Sequence, residues 1–152
     1  LVHFATAKED WSDRAIALYT QKISHFVDFE VVAMRPSKNA RGDEKSKLRD
    51  EAKALRDFLK DGDQLVIFDE RGKSLTSEKF AEQIRRLQES GKKRVVFAIG
   101  GAYGIDEELR RETAVSLSLA PFVMNHLVAQ TVALEQIYRA FTIIKGLPYH
   151  NA

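Results

Sequence analysis

The residues whose types and spacing could do chemistry cluster in the last third of the chain. The run Arg94-Val95-Val96-Phe97-Ala98-Ile99 leads directly into Gly100-Gly101-Ala102-Tyr103-Gly104. A buried strand that ends in a glycine turn presents backbone N–H groups to a ligand. Two other segments have the same strand-end character. One is Phe68-Asp69, and the other is the loop Leu117-Ser118-Leu119-Ala120-Pro121-Phe122-Val123-Met124. Ligands of open parallel sheets bind beyond the carboxyl ends of the strands, so the three segments meet if their strands are neighbours. Glycine lets a ligand approach the backbone closely. Phe68, Leu119, Phe122 and Met124 offer apolar surface to a flat ring, which suits an adenine-containing ligand. Tight turns that bind nothing would use the same glycines, and spacing alone leaves both readings open.

Several other chemistries are disfavoured. The G-G-x-x-G spacing of Gly100, Gly101 and Gly104 does not meet the dinucleotide fingerprint G-x-G-x-x-G, and it follows the fourth strand instead of the first. No Gly-Lys-Ser/Thr follows a glycine turn, so a phosphate-binding P-loop is not expected. The histidines His3, His25, His126 and His150 form no H-x-x-x-H pair, and no metal site is expected. His126 stands at the head of an apolar helix, where a structural and a functional role are equally open. Tyr149 and His150 at the tail form an aromatic–imidazole pair able to stack on a base or move a proton. Arg139 lies one helical turn from Glu135, as in an i,i+4 ion pair, or it reaches towards a neighbouring subunit's site.

Positioning these residues requires alternating strands and helices. Strands are expected at Leu1–Ala5, Phe29–Met34 (stopped by Pro36), Gln64–Phe68, Arg94–Ile99 and Ala114–Leu119. Trp11, Ala15, Leu18 or Tyr19, and Ile23 recur at helical spacing over roughly Glu9 to Ser24. Asp43 caps a helix with the stripe Leu48, Ala52, Leu55 and Leu59, and Gly62 suits its left-handed end. Asp69-Glu70-Arg71-Gly72 turns the chain. Thr76 or Ser77 caps a helix carrying Phe80, Ile84 and Leu87, which Gly91 ends, and Asp106 caps a short one. A long helix runs from about His126 to Lys145 and is apolar around more of its circumference than one sheet contact needs, which suggests a homodimer. The order predicts an α/β fold, a parallel sheet with helices on both faces.

At 152 residues the chain is most simply one domain, residues 1–152, with a substantial core. Its hydrophobic fraction of 44% and charged fraction of 30% are those of a globular protein. No apolar run is long enough to span a bilayer, and no cysteine is present, so a cytoplasmic location without disulfides is expected. The net charge of +2 is less informative than its distribution. Between Arg35 and Arg49 lie Arg35, Lys38, Arg41, Lys45, Lys47 and Arg49, opposed within that span only by Asp43 and Glu44. That stretch neutralises phosphates or is simply a solvated face.

Taken together, Phe97 to Gly104, Ser116-Leu117-Ser118, His126, Leu134-Glu135-Gln136-Ile137-Tyr138-Arg139-Ala140 and Pro148-Tyr149-His150 resemble one family. It is the H-type ribosomal large subunit pseudouridine methyltransferases of the SPOUT class. The likeness extends to Ala7-Lys8 with Trp11, Asp69-Glu70 with Gly72-Lys73, and Ser77-Glu78. The resemblance implies a C-terminal trefoil knot, a homodimer, and S-adenosylmethionine as methyl donor. It also implies methylation at N3 of a pseudouridine in large-subunit (23S) rRNA on assembled ribosomes. Carried over, Phe68, Gly100, Gly101, Gly104 and Leu117 to Met124 would hold the donor, with Tyr149, His150 and Arg139 near the incoming base. The chain departs from the family's pattern in three places. The loop before His126 is longer, Gln130 stands where an arginine is usual, and Ala5-Thr6-Ala7 lacks the usual glycine. A non-catalytic ribosome-binding module of the same fold is the alternative.

Overall fold

A computed structural model describes residues 1–4, 8–35 and 43–151. The expectations that fall on Ala5, Thr6, Ala7, Pro36, Lys38 and Arg41 lie outside the described residues. The elements, in order, are β1 (Val2–Phe4), α1 (Asp10–Ser24), β2 (Val32–Met34), α2 (Glu44–Phe58), β3 (Asp63–Ser74), α3 (Ser77–Glu89), β4 (Arg94–Ile99), α4 (Glu107–Glu112), β5 (Val115–Ser118) and α5 (His126–Ile144).

The helix starts follow from side-chain caps. Asp43 accepts a hydrogen bond from the Ser46 amide at 2.7 Å, Thr76 from Lys79 at 3.3 Å, and Asn125 from Leu127 at 2.8 Å. Asp106 serves Glu108 and Leu109 in the same way. Each cap satisfies backbone donors that the first helical turn leaves without a partner.

All strand pairs are parallel, in the order β2-β1-β4-β3-β5. Alternation along the strands divides the core between the two faces of the sheet. Val66, Phe68, Phe97, Ile99 and Leu117 face α1, α3 and α5, joining Ile23, Phe80, Ile84, Leu134 and Phe141. Ile67, Val96 and Ala98 face α2 and α4, joining Ala52, Leu55, Ile105 and Leu109. The result is the expected α/β sheet with helices on both faces.

The structure corrects four local expectations. β2 is shorter than expected: Phe29 and Val31 precede it as partly buried packing residues. Trp11 and Leu18 are exposed, because α1 buries the face carrying Ser12 and Ile23, flanked by Ile16 and Tyr19. Gly62 has a φ of +91°, but it lies in the turn before β3, since α2 has already ended with Leu59 extended. Asp69-Glu70-Arg71-Gly72 does not reverse the chain. Phe68 and Lys73 are both paired with Leu117, so these four residues arch out within one strand as a large bulge. Gly72 closes the arch against the backbone of Leu117, where a Cβ would come within 2.5–2.8 Å of three main-chain atoms.

Candidate active site

Because β4, β3 and β5 are adjacent, their carboxyl ends converge. A cleft of about 410 Å³ opens there, within the range of small-molecule sites. It is lined by Phe68, Gly100, Gly101, Gly104, Leu119, Ala120, Phe122, Val123 and Met124 among the residues expected from sequence. The glycine turn is tight. The Gly104 amide donates to the Gly101 carbonyl at 3.1 Å, and Gly104 has a φ of +84°. A Cβ on residue 100 would sit 2.1 Å from the Gly104 carbonyl oxygen, so this path excludes any larger residue. Over its outer side lies the Glu51 carboxylate, which occupies the space a side chain at 101 would need.

Not all of the expected loop reaches the cleft. Leu117 is buried in the core, Ser118 turns its hydroxyl to the Ala120 carbonyl at 2.8 Å, and Pro121 is exposed outside the lining. Phe122 and Val123, 67% and 81% exposed, form a rim. Phe68 is mostly committed to the core, stacked on Phe97 at 5.8 Å.

The cleft is also lined by Asp69, Glu70 and Arg71, on the arch of β3; the sequence placed Asp69 at a strand end but gave none of the three a binding role. Burial pushes the Asp69 carboxyl up, but the Arg71 guanidinium and amide, at 3.1 and 2.8 Å, hold it below the ordinary carboxylate range. Tyr103 lines the cleft under the Lys47 ammonium, 5.4 Å from the ring centre. The signal available was adjacency, since Asp69 follows Phe68 directly.

His126 also lines the cleft, its ring 5.8 Å from that of His3 and its Nε2 without a hydrogen-bond partner among the described residues. Burial lowers the pKa of both rings, that of His3 to about 4, with the nearby backbone at Phe4 working against the fall. Gln130, one turn further along α5, is 1% exposed, and neither of its amide atoms has a partner among the described residues. The departure from the family's arginine therefore lies inside the chain and not on a surface.

Tyr149, His150 and Arg139 come together, but not at the cleft. Arg139 is thirteen residues along α5 from His126, roughly 20 Å at 1.5 Å per residue. The tail is half-buried and pinned, in contrast to the exposed pair suggested by its terminal position. Arg139 forms the expected ion pair with Glu135 at 2.5 Å and lies over the Tyr149 ring at 4.7 Å. The Tyr149 hydroxyl donates to Glu135 at 3.0 Å, while Tyr138 meets its ring edge-on at 4.7 Å. Burial, then bonding to Tyr19 and Glu135, pushes the Tyr149 phenol up, so it remains a donor at neutral pH. His150 Nε2 is 2.7 Å from the Glu78 carboxylate and Nδ1 is 3.3 Å from Arg139.

Among the described residues, no group of three His, Cys, Asp or Glu side chains could hold a metal, and no helix is long and apolar enough to cross a membrane.

A parallel α/β sheet with a glycine-turn cleft beyond β4, β3 and β5, and a long final helix ending in a pinned Tyr-His tail, is the architecture of a methyltransferase of the SPOUT class. The family described as "Predicted SPOUT methyltransferase" matches residues 1–150, and the chain belongs to it. Within that class it falls in the group named ribosomal RNA large subunit methyltransferase H. The Bdellovibrio bacteriovorus protein of that name is 46% identical over 151 residues, covering 99% of this chain and 97% of its own. The Geobacter sulfurreducens protein is 37% identical over 144 residues, 95% and 93% of the two chains. That of Christiangramia forsetii is 34% identical over 139 residues, 90% and 87%.

Proposed function

We propose that the protein methylates N3 of a pseudouridine in large-subunit rRNA, on assembled ribosomes in the cytoplasm, with S-adenosylmethionine as donor. The observation that carries this reading is the cleft. Its volume, its glycine-turn backbone and the apolar side chains of Leu119, Phe122 and Met124 suit an adenosine. The Glu70 carboxylate suits cationic and hydroxyl groups, that of Asp69 being held by Arg71. When bound, the donor supplies an electrophilic methyl group.

The chain's own contribution is to orient and to move a proton. The Gly100–Gly104 turn and the Leu119–Met124 loop would hold the donor, so that its methyl group is presented to the base. Arg139 and Tyr149 place the base, and His150 takes the N3 proton as the new bond forms. Arg139 lies roughly 20 Å along α5 from the same chain's cleft, so a second copy supplies the tail, and the working form is a homodimer. Exposed Val128, Trp11 and Leu18 give that assembly apolar surface. The trefoil knot belongs to the same proposal. The chain leaves β5 at the sheet edge and begins α5 beside Phe4 and Gly100, a crossing that suits threading. Lys45, Lys47 and Arg49 on α2, together with Arg35, contact rRNA phosphates.

The test is transfer of labelled methyl groups to intact, unmethylated bacterial ribosomes and, in parallel, to naked rRNA, with the nucleoside identified by mass spectrometry. Methyl-pseudouridine formed on ribosomes alone supports the reading. A folded dimer that binds donor but modifies neither substrate refutes it, and leaves the non-catalytic binding module.

A further inference from the structure

The ring of His150 is held from two sides, and the two contacts agree on where its proton is. A guanidinium has only donors, so Arg139 at 3.3 Å must give its hydrogen to the Nδ1 lone pair. The Glu78 carboxylate is 2.7 Å from Nε2. It is kept ionised: the Thr76 hydroxyl, its own backbone amide and His150 bring its pKa down to about 2. An ionised carboxylate only accepts, so Nε2 carries the hydrogen. Glu78 is itself fixed, in the first turn of α3, where the helix dipole favours negative charge. Glu135, also beside this group, is occupied by Arg139 and Tyr149.

We infer that Glu78 is a positioning residue for the reaction: it fixes the His150 ring in the Nε2–H tautomer and leaves Nδ1 as the nitrogen that accepts the N3 proton. This rests on the reading of His150 as the base. In that step the base takes the place of Arg139 at Nδ1. The N3–H proton passes to Nδ1 while the methyl–N3 bond forms and the methyl–sulfur bond breaks. Glu78, on the opposite edge of the ring, stabilises the imidazolium that results. Arg139, freed from Nδ1, is left within reach of a carbonyl flanking N3.

The test pairs a spectroscopic readout on the free protein with kinetics on ribosomes. Nitrogen-15 NMR of the parent should show His150 as the Nε2–H tautomer, and in Glu78→Gln a mixture, because an amide either donates or accepts and the 3.3 Å contact from Arg139 is too long to hold the tautomer alone. Glu78→Asp keeps the charge at the helix start but shortens the reach by about 1.5 Å. It should retain the thermal stability of the parent and lose the tautomer. Both variants should lower kcat on the order of tenfold with KM for ribosomes unchanged, a part of the 10²–10⁴ that a general base contributes. A role limited to the helix start predicts instead that Glu78→Asp behaves as the parent, and that result overturns the inference. So does a parent with the Nδ1–H tautomer, or variants with unaltered tautomer and kcat. His150→Ala separates the two claims. Full turnover in that variant removes His150 as base, and the catalytic role of Glu78 with it. Lost turnover in His150→Ala beside unchanged Glu78 variants removes Glu78 alone.

Discussion

Moving from about pH 7.5 to pH 5 should destabilise this protein through its buried histidine pair. His3 is 8% exposed on β1, its ring 5.8 Å from that of His126, and its Nδ1 has no hydrogen-bond partner among the described residues. Its pKa in the folded chain is lowered to about 4, against an ordinary value near 6.5. The unfolded chain therefore binds more protons than the folded one between these values, and stability must rise with pH across that window. At pH 5 the unfolded ring is nearly all protonated and the folded one nearly all neutral, a difference of about 2 kcal/mol from His3 alone. At pH 4 the loss approaches about 3 kcal/mol. His126, lowered in the same direction, adds to it. The assay is urea unfolding at half-unit pH steps, followed in the parent and in His3→Gln, which cannot titrate. The parent should lose the calculated stability between pH 6.5 and 5, and the variant should show a clearly flatter dependence. Carboxylates such as Asp63 and Asp69, also lowered, act at more acidic pH and do not fill this window. A variant with the same slope as the parent would refute the reasoning, because the pH dependence would then arise elsewhere.

Other perturbations discriminate equally well. Gly100→Ala forces a Cβ to 2.1 Å from the Gly104 oxygen and should abolish donor binding in calorimetry, whereas Gly91→Ala, with open space at a φ of +71°, should cost only about 1–3 kcal/mol of stability and leave binding intact. Leu134→Ala empties a site that is 0% exposed between α5 and the sheet, and chemical denaturation should show a loss of about 2–5 kcal/mol. Arg94→Met strips the partner from the Asp63 carboxylate, whose side chain is 5% exposed and bonded to Arg94 at 2.5 Å. Unfolding should be easier by about 3 kcal/mol, with the loss diminishing as acid protonates Asp63. Neutralising Lys45 and Lys47 should weaken ribosome binding and flatten its salt dependence. An unchanged slope would remove α2 from the RNA contact.

What the amino-acid sequence determined by itself is the content of each element. Asp43, Thr76, Asp106 and Asn125 start helices, and the 3.6-residue stripe on α3 is the face that is buried, because caps and periodicity act within a few residues of chain. The run Arg94 to Ile99 is a strand bounded by its own glycine turn, and the three candidate strand ends are legible for the same reason. Tertiary structure decided what required contacts distant in sequence. The order β4-β3-β5 made those ends one cleft. The approach of Gly72 to Leu117 turned an expected reversal into an arch. Trp11 and Leu18 share the helical spacing of buried residues, and only the placement of α1 against α5 shows that its other face is covered. His3 meets His126 across more than a hundred residues, and His150 meets Glu78 across 72, pairings that no local pattern encodes. A side chain's type sets which chemistry it can do, and the packing of remote segments sets which partner it does it with.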